Sequence, residues 1–370
     1  AGQPARRVTV DEPTRAAYEA GAADWAEQRR AGEPGPAGRL LDRLPSRPVG
    51  PVADLGCGPG FHLAHLNATA IGVDVSPSML ALAATAAPAA ALLEGEVARL
   101  PLRTGSLGGA VVSKVLIHLP RAVVPEALAE LHRVLAVGAP AELVVFGGAD
   151  TDLEPIPDDR FAPRRFTRFT DQVIADLLEG GGFSVADHTV VDDGPWPRHQ
   201  LGVVRERTLA DRVAPDLRLL VCGLNPSLYA ADAGVGFGRP GNRFWPAALA
   251  AGIVSVDRDP THALTAHGVG MTDLVKRATP RADELRRDEY EAGVDRVDRL
   301  CARLRPAAVC MVGLAGWRAA VDRHAVAGWQ PHLLGGRPVY VMPSTSGLNA
   351  HSSLDDLTAH LTEAAKGATG

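Results

Sequence analysis

Two short stretches hold the residue types from which a ligand site could be built. In Val52-Ala53-Asp54-Leu55-Gly56-Cys57-Gly58-Pro59-Gly60 an acidic residue precedes three alternate glycines at the end of an apolar run. Glycine has no Cβ, so the backbone there can turn sharply and come against a ligand. Asp74 closes the next apolar run, where a carboxylate can accept from both hydroxyls of a ribose. A dinucleotide fingerprint would carry its third glycine where Phe61 stands, which argues against a nicotinamide cofactor. In the second stretch, Leu224-Asn225-Pro226-Ser227 follows another apolar run. The amide of Asn225 can aim a water through its carbonyl oxygen but cannot take a proton from it as an aspartate would. Phe237, Asn242 and the turn Ser346-Gly347-Leu348 add a flat ring, a second amide and a leucine with no obvious core to join.

These residues need a frame that brings them to one edge. From Pro51, short apolar runs alternate with longer helical ones, the pattern of βαβ units and a parallel sheet. Strands are expected at Val52–Leu55, Ala70–Val73, Ala91–Leu93, Gly109–Ser113 and Ala141–Phe146. Phe183–Val191 and Leu201–Arg205 should close the sheet as an antiparallel pair. The expected fold is α/β: a seven-stranded Rossmann-like sheet over residues 1–207, then a three-layer α/β/α unit over 208–370. The second unit has strands at Leu217–Gly223, Ala307–Val312 and Val339–Met342. Ligands of open α/β sheets bind at the carboxyl ends of the strands, where both loops fall.

A length of 370 residues suits two cores better than one. With 46% hydrophobic and 22% charged residues, the chain reads as globular rather than disordered. No apolar run reaches the roughly 20 residues of a membrane helix. No apolar leader core opens the sequence, so a cytoplasmic location and no membrane partner are expected. Cys57, Cys222, Cys301 and Cys310 form no CxxC pair; no metal is expected, and reduced thiols are the simplest account. The net charge is −5, but residues 208–370 hold 18 Lys/Arg against 17 Asp/Glu. The second unit is therefore the better candidate for a nucleic-acid partner, through a local patch only.

The glycine loop with Asp74 resembles motifs I and II of the class I S-adenosylmethionine-dependent methyltransferases, a likeness running from about Tyr18 to Arg207. It implies S-adenosylmethionine as cofactor. Asp54, Gly56, Gly58 and Gly60 would then belong to the cofactor loop, with the glycines bordering the methionine part. Asp74 would hold the ribose, Met79 would pack on the adenine and Glu96 would lie near its amino group. Met79 equally suits a helix core and Glu96 a solvated loop. His118, just past the fourth strand, could be a substrate-side base or a helix cap. The methyl acceptor is not legible. Without an NPPY-like tetrapeptide or a Pro-Cys dipeptide, a DNA base is disfavoured.

From about Thr208 to Leu361 the chain resembles the mismatch-specific uracil/thymine DNA glycosylases, through Gly223–Ser227, Asn242–Trp245 and Pro343–Leu348, with Gly268–Pro280 between them. The implied partner is a DNA duplex with a G·U or G·T mismatch. By that likeness Asn225 orients the water, and Leu224, Pro226, Ser227, Asn242, Ser346 and Gly347 line the base pocket and DNA face. Phe237 stacks on the flipped pyrimidine and Leu348 wedges into the helix. No cofactor is implied for this unit, and no lysine is required, so the product would be an abasic site in an uncut strand. Ser227 stands where the family carries glycine, and Ser344-Thr345 where it carries Asn-Pro, which leaves base selectivity open. Arg239, Arg243 and Lys276 could contact phosphates. An alternative arrangement makes the methyltransferase the main activity and the second unit a nucleic-acid binding module.

Overall fold

Apolar runs bounded by glycine, proline and polar turns become the strands of two separate sheets. The computed structural model describes residues 10–28, 35–66, 69–156 and 158–367. One unit takes the residues up to Leu178 together with Phe183–Glu206; the other takes Glu179–Gly182 and the residues from Arg207 onward.

The first unit contains β1 (Val52–Leu55), β2 (Ile71–Asp74), β3 (Ala91–Glu94), β4 (Gly109–Ser113), β5 (Pro140–Phe146), β6 (Thr151–Pro155), β7 (Arg165–Arg168), β8 (Phe183–Val191) and β9 (Arg198–Arg205). Its helices are α1 (Glu12–Ala20), α2 (Ala22–Gln28), α3 (Pro36–Arg43), α4 (Pro77–Ala86), α5 (Val124–Val134) and α6 (Asp171–Gly180). The strand order β3-β2-β1-β4-β5 is parallel, and β9 and β8 continue it antiparallel. β1 is buried along its whole length, as a central parallel strand must be. Ala53, Leu55, Ala110, Val112, Leu143 and Val145 pack towards Leu128, Leu131 and Ile174 on one face. Val52 and Val111 meet Leu40 of α3 and Ala83 of α4 on the other.

Among the described residues the sheet has nine strands, where seven are expected. The additional pair is the β6–β7 hairpin, joined to the end of β5 through Phe146 and Arg168. It escapes sequence reading because its segments, TDLEP and RFTR, are short and charged, and the first is largely exposed.

The second unit contains β10 (Leu219–Gly223), β11 (Val269–Asp273), β12 (Val309–Val312), β13 (Gly328–Trp329) and β14 (Val339–Met342), with α7 (Leu228–Ala233), α8 (Phe244–Ala250), α9 (Pro260–His267), α10 (Arg287–Leu304), α11 (Leu314–Ala320) and α12 (Leu354–Lys366). The order is β11-β10-β12-β14-β13, parallel except for β13 at the edge. Side chains alternate across a strand. Leu219 and Val221 accordingly pack with Phe244, Trp245, Leu357 and Leu361 of α8 and α12. Leu220 and Cys222 pack with Val297, Leu300 and Trp317 of α10 and α11. Helices on both faces make this unit α/β/α.

Beside β11 a wholly buried ion network ties the unit together. Asp211 accepts from Lys276 Nζ at 2.8 Å, Arg296 Nη1 at 3.0 Å and Thr272 Oγ1 at 2.7 Å. Burial works against its charge, but the two cations and these bonds hold its carboxyl below the ordinary range. Replacing Asp211 with alanine should destabilise this unit by about 3–5 kcal/mol, because it strands two cations in the interior. Urea unfolding at neutral pH would measure the loss. A depressed carboxyl stabilises above its unfolded pKa, and this contribution disappears as the pH falls through its lower folded value. The gap between wild type and D211A should therefore narrow in acid.

Candidate functional site

At the carboxyl end of β1 the chain crosses from strand to helix through Gly56, Gly58 and Gly60, all at positive φ. A side chain at Gly56 would stand 2.2 Å from Val115 Cγ2, so only glycine fits. The amides of Gly56 and Cys57 donate to the Val73 carbonyl at 2.7 and 3.0 Å, tying the loop to β2. Asp74, ending β2, accepts from Gly58 N at 2.8 Å with one oxygen and from Ser76 N at 2.9 Å with the other. Burial raises its pKa and these amide bonds counter the rise. Ser76 caps α4, its Oγ accepting from Met79 N at 3.1 Å, and also donates to Glu19 of α1 at 2.5 Å. The loop opens on a cavity of about 460 Å³ lined by Gly56, Gly58, Asp74, Met79, Val115 and His118, among others.

The opposite wall of this cavity is aromatic: Tyr18, Trp25, Phe146, Phe166 and Trp196 face it, with Phe61 near the loop. His118 lies within this wall. Its Nδ1 meets the Arg165 carbonyl at 3.1 Å, so that nitrogen carries the proton and Nε2 accepts from Tyr18 Oη at 2.9 Å. Arg164 Nη1 donates to the same hydroxyl at 2.9 Å and pairs with Asp159. Burial lowers the His118 pKa to about 4, so the ring is neutral near pH 7. His118 is a residue of a short 3-10 turn whose side chain joins Tyr18 to β7, not a helix cap.

In the second unit, Asn225 follows the carboxyl end of β10. Its Nδ2 lies 2.8 Å from Thr279 Oγ1, 3.0 Å from the Arg277 carbonyl and 3.3 Å from the Pro226 carbonyl. Thr279 spends its own proton on the Arg281 carbonyl at 2.8 Å, so all three neighbours of Nδ2 are acceptors. That fixes which way the amide points. Among the described residues no hydrogen bond reaches Oδ1. Pro226 is buried, and Ser227 caps α7 through Oγ, which accepts from Ala230 N at 3.2 Å. Leu224 is half-buried, its carbonyl accepting from Val275 N at 3.0 Å.

Phe237 has a left-handed backbone at φ 57° and lies stacked on Phe244, with centroids 4.3 Å apart. Asn242 Oδ1 caps the next segment by accepting from Phe244 N at 2.9 Å. Arg243 ties the turn after β14 to this segment. Its guanidinium donates to the carbonyls of Ser346 at 3.3 Å and Asn349 at 2.6 Å, and to that of Ser352. A side chain at Gly347 would stand 2.8 Å from the Gly241 carbonyl, so the two loops touch. Ser346 Oγ accepts from Leu348 N at 3.3 Å, and Leu348 is 91% exposed at the tip.

The model of the family described as the uracil DNA glycosylase superfamily matches residues 210–366, and that of the methyltransferase domain matches residues 52–138. The chain joins a methyltransferase domain to a uracil DNA glycosylase superfamily domain. Among solved structures it is similar to S-adenosylmethionine-dependent methyltransferases of three organisms. The protein of Methanosarcina mazei is 20% identical over 45% of this chain and 97% of that one, TM-score 0.40. That of Thermotoga maritima is 17% identical over 52% and 100%, TM-score 0.41. That of Mesorhizobium loti is 20% identical over 47% and 100%, TM-score 0.37.

Within the methyltransferase domain the expected residues do not all reach the cavity. Gly56, Gly58, Asp74 and Met79 line it. Gly60 instead admits α4, since a side chain there would come within 3.0 Å of Ala83 Cα. Glu96 sits half-buried at the turn after β3, outside the cavity lining. Asp54 is fully buried, with neither oxygen partnered, and burial with repulsion from Asp74 raises its pKa to about 8. The aromatic wall, Tyr18 and Arg164 were not among the expected site residues. Their segments lie far apart in sequence, and the one available signal was that few aromatics occur elsewhere in this domain.

In the glycosylase-superfamily domain two suggested phosphate contacts are corrected. Lys276 is buried against Asp211, and Arg243 is spent on loop carbonyls; Arg239 is exposed. All four cysteines are free and buried. Among the described residues no group of three or more His, Cys, Asp and Glu is placed to hold a metal ion, and no helix is long and apolar enough to cross a membrane.

Proposed function

We propose that the second domain is a monofunctional DNA glycosylase that hydrolyses the N-glycosidic bond of a uracil, or a mismatched thymine, flipped out of a G·U or G·T duplex. The observation that carries this reading is the fixed amide of Asn225, whose nitrogen is consumed by acceptors and whose oxygen is left to hold a water. That water attacks C1′ as the bond from C1′ to the base nitrogen breaks. The electron pair leaves with the base, and the water's proton passes to solvent. Asn225 orients but does not deprotonate, so turnover is slow and uracil is the easier leaving group. The domain's two lysines are Lys276, buried in an ion pair, and Lys366 at the end of α12, which fits a reaction without strand cleavage.

Phe237 supplies a ring for the extruded base, a contact worth about 1–3 kcal/mol. Leu348, exposed on a turn held by Arg243, fills the gap in the stack. Replacing Leu348 with alanine should slow uracil release from duplex roughly tenfold or more, and leave release from single strands nearly unchanged, because only the duplex pays for unstacking. Paired single-turnover assays on the two substrates measure this; equal losses on both would remove the wedge role.

For the first domain the reading is a methyltransferase that uses S-adenosylmethionine, held by the glycine loop, Asp74 and Met79. The residues fit a nucleoside cofactor: a cavity of about 460 Å³ lies over a loop on which Gly56 leaves no room for a side chain, with Asp74 and Met79 in its lining. The cofactor, when bound, supplies an activated methyl group. This chain's own residues position and exclude water, which is most of what methyl transfer asks of a protein. Without an NPPY-like tetrapeptide or a Pro-Cys dipeptide a DNA base is disfavoured as acceptor, and the acceptor's identity is open to a substrate screen.

A further inference from the structure

The turn that carries Leu348 is shaped by bonds of its own. Ser346 N donates to Ser344 Oγ at 3.2 Å, Asn349 N to the Ser346 carbonyl at 2.9 Å and Asn349 Nδ2 to the Ser344 carbonyl at 2.8 Å. These local bonds do not fix where the turn stands, and Leu348, 91% exposed, joins no core that could. Among the described residues, the hydrogen bonds that reach the turn from another segment all come from Arg243. Its backbone N donates to the Thr345 carbonyl at 2.9 Å. Its guanidinium donates to the carbonyls of Ser346, Asn349 and Ser352. Bonds from a charged donor are stronger than neutral ones, and a planar guanidinium holds several acceptors in one fixed arrangement.

Arg243 is itself firmly placed. It directly precedes α8, whose first two residues, Phe244 and Trp245, are wholly buried. The start of this helix has its own fastenings: Phe244 N donates to Asn242 Oδ1, and Trp245 Nε1 donates to the Gly236 carbonyl at 2.9 Å. Phe244 also backs the Phe237 ring. One end of α8 thus supports the stacking ring directly and the wedge turn through a side chain. Truncating that side chain would free the turn while leaving the helix cap and the ring stack in place.

We propose that Arg243 is a positioning residue for base extrusion: its guanidinium holds the Ser344–Asn349 turn where Leu348 can enter the duplex, in fixed relation to the Phe237 ring. The inference rests on the reading of Leu348 as the wedge. An exposed turn without this anchor would have to be ordered each time a base is extruded, whereas a turn already ordered in the free protein avoids that loss of freedom. Arg243 therefore acts through Leu348 and not on the base or on a phosphate.

A double-mutant cycle of R243A and L348A tests this, with single-turnover uracil release measured on a G·U duplex and on a single strand. The same duplex with 2-aminopurine beside the uracil reports opening of the stack by its rise in emission, apart from bond cleavage. R243A should slow both duplex signals roughly three- to tenfold and the single strand far less. Added to L348A it should slow the duplex no further, because the residue through which it acts is gone. R243K keeps the charge, reaches fewer carbonyls and should fall between; it carries the same cycle if circular dichroism shows R243A unfolded. Independent, multiplying losses in the double variant overturn the proposal, as do equal losses on duplex and single strand. So does weaker binding of R243A to an undamaged duplex with a shallower salt dependence, the mark of a phosphate contact. Unchanged duplex signals in L348A remove the wedge and this proposal with it. If wild type releases no uracil, the glycosylase reading fails by itself, and the 2-aminopurine signal still decides the role of Arg243.

Discussion

N225A should release uracil from a G·U duplex roughly 10²–10³-fold more slowly than wild type, a loss comparable to that of a single preorganised polar group in other hydrolytic sites. The basis is geometric. The amide nitrogen is held by three acceptors on two segments, so the oxygen is aimed without cost at the moment of reaction. Alanine removes both the anchor and the oxygen. N225D tests the chemistry separately: a carboxylate restores the oxygen and adds a base, but it meets the Pro226 and Arg277 carbonyls with no proton to offer. Single-turnover kinetics should place N225D above N225A, and binding to uncleaved duplex should change little in either. A loss of binding equal to the loss of rate would recast Asn225 as a DNA contact.

D74A should weaken binding of S-adenosylmethionine by about 10²-fold or more, since hydrogen bonds to a charged group contribute about 1.5–3 kcal/mol each. Asp74 also holds Gly58 N and Ser76 N, so its removal loosens the loop as well as the ribose contact. D74N keeps an oxygen for one amide and should fall between. Isothermal titration with the cofactor reads binding without any knowledge of the acceptor. Undiminished heat in D74A would move the cofactor elsewhere in the cavity.

The loops of both candidate sites were legible in the sequence to the degree that local chemistry defines them. Three glycines at alternate places and a carboxylate at the next strand end can be read directly, because the backbone geometry they permit is itself local. Asn225 and Leu348 were legible for a similar reason: an amide after a buried strand and a leucine in a polar turn are both out of place without a ligand. What escaped depends on distant pairing. Tyr18 meets His118 across 100 residues, and Arg243 meets Asn349 across 106. The β6–β7 hairpin was missed because short charged strands at an edge carry no apolar alternation.

The central claim is that this domain cuts the bond between base and sugar and leaves the strand whole. A duplex with one G·U mismatch, incubated with the folded wild-type protein and divided before alkali, tests it most directly. The account predicts free uracil in both halves and strand breakage only in the alkali-treated half. Absence of uracil from a folded sample that binds the duplex, or breakage without alkali, would contradict it.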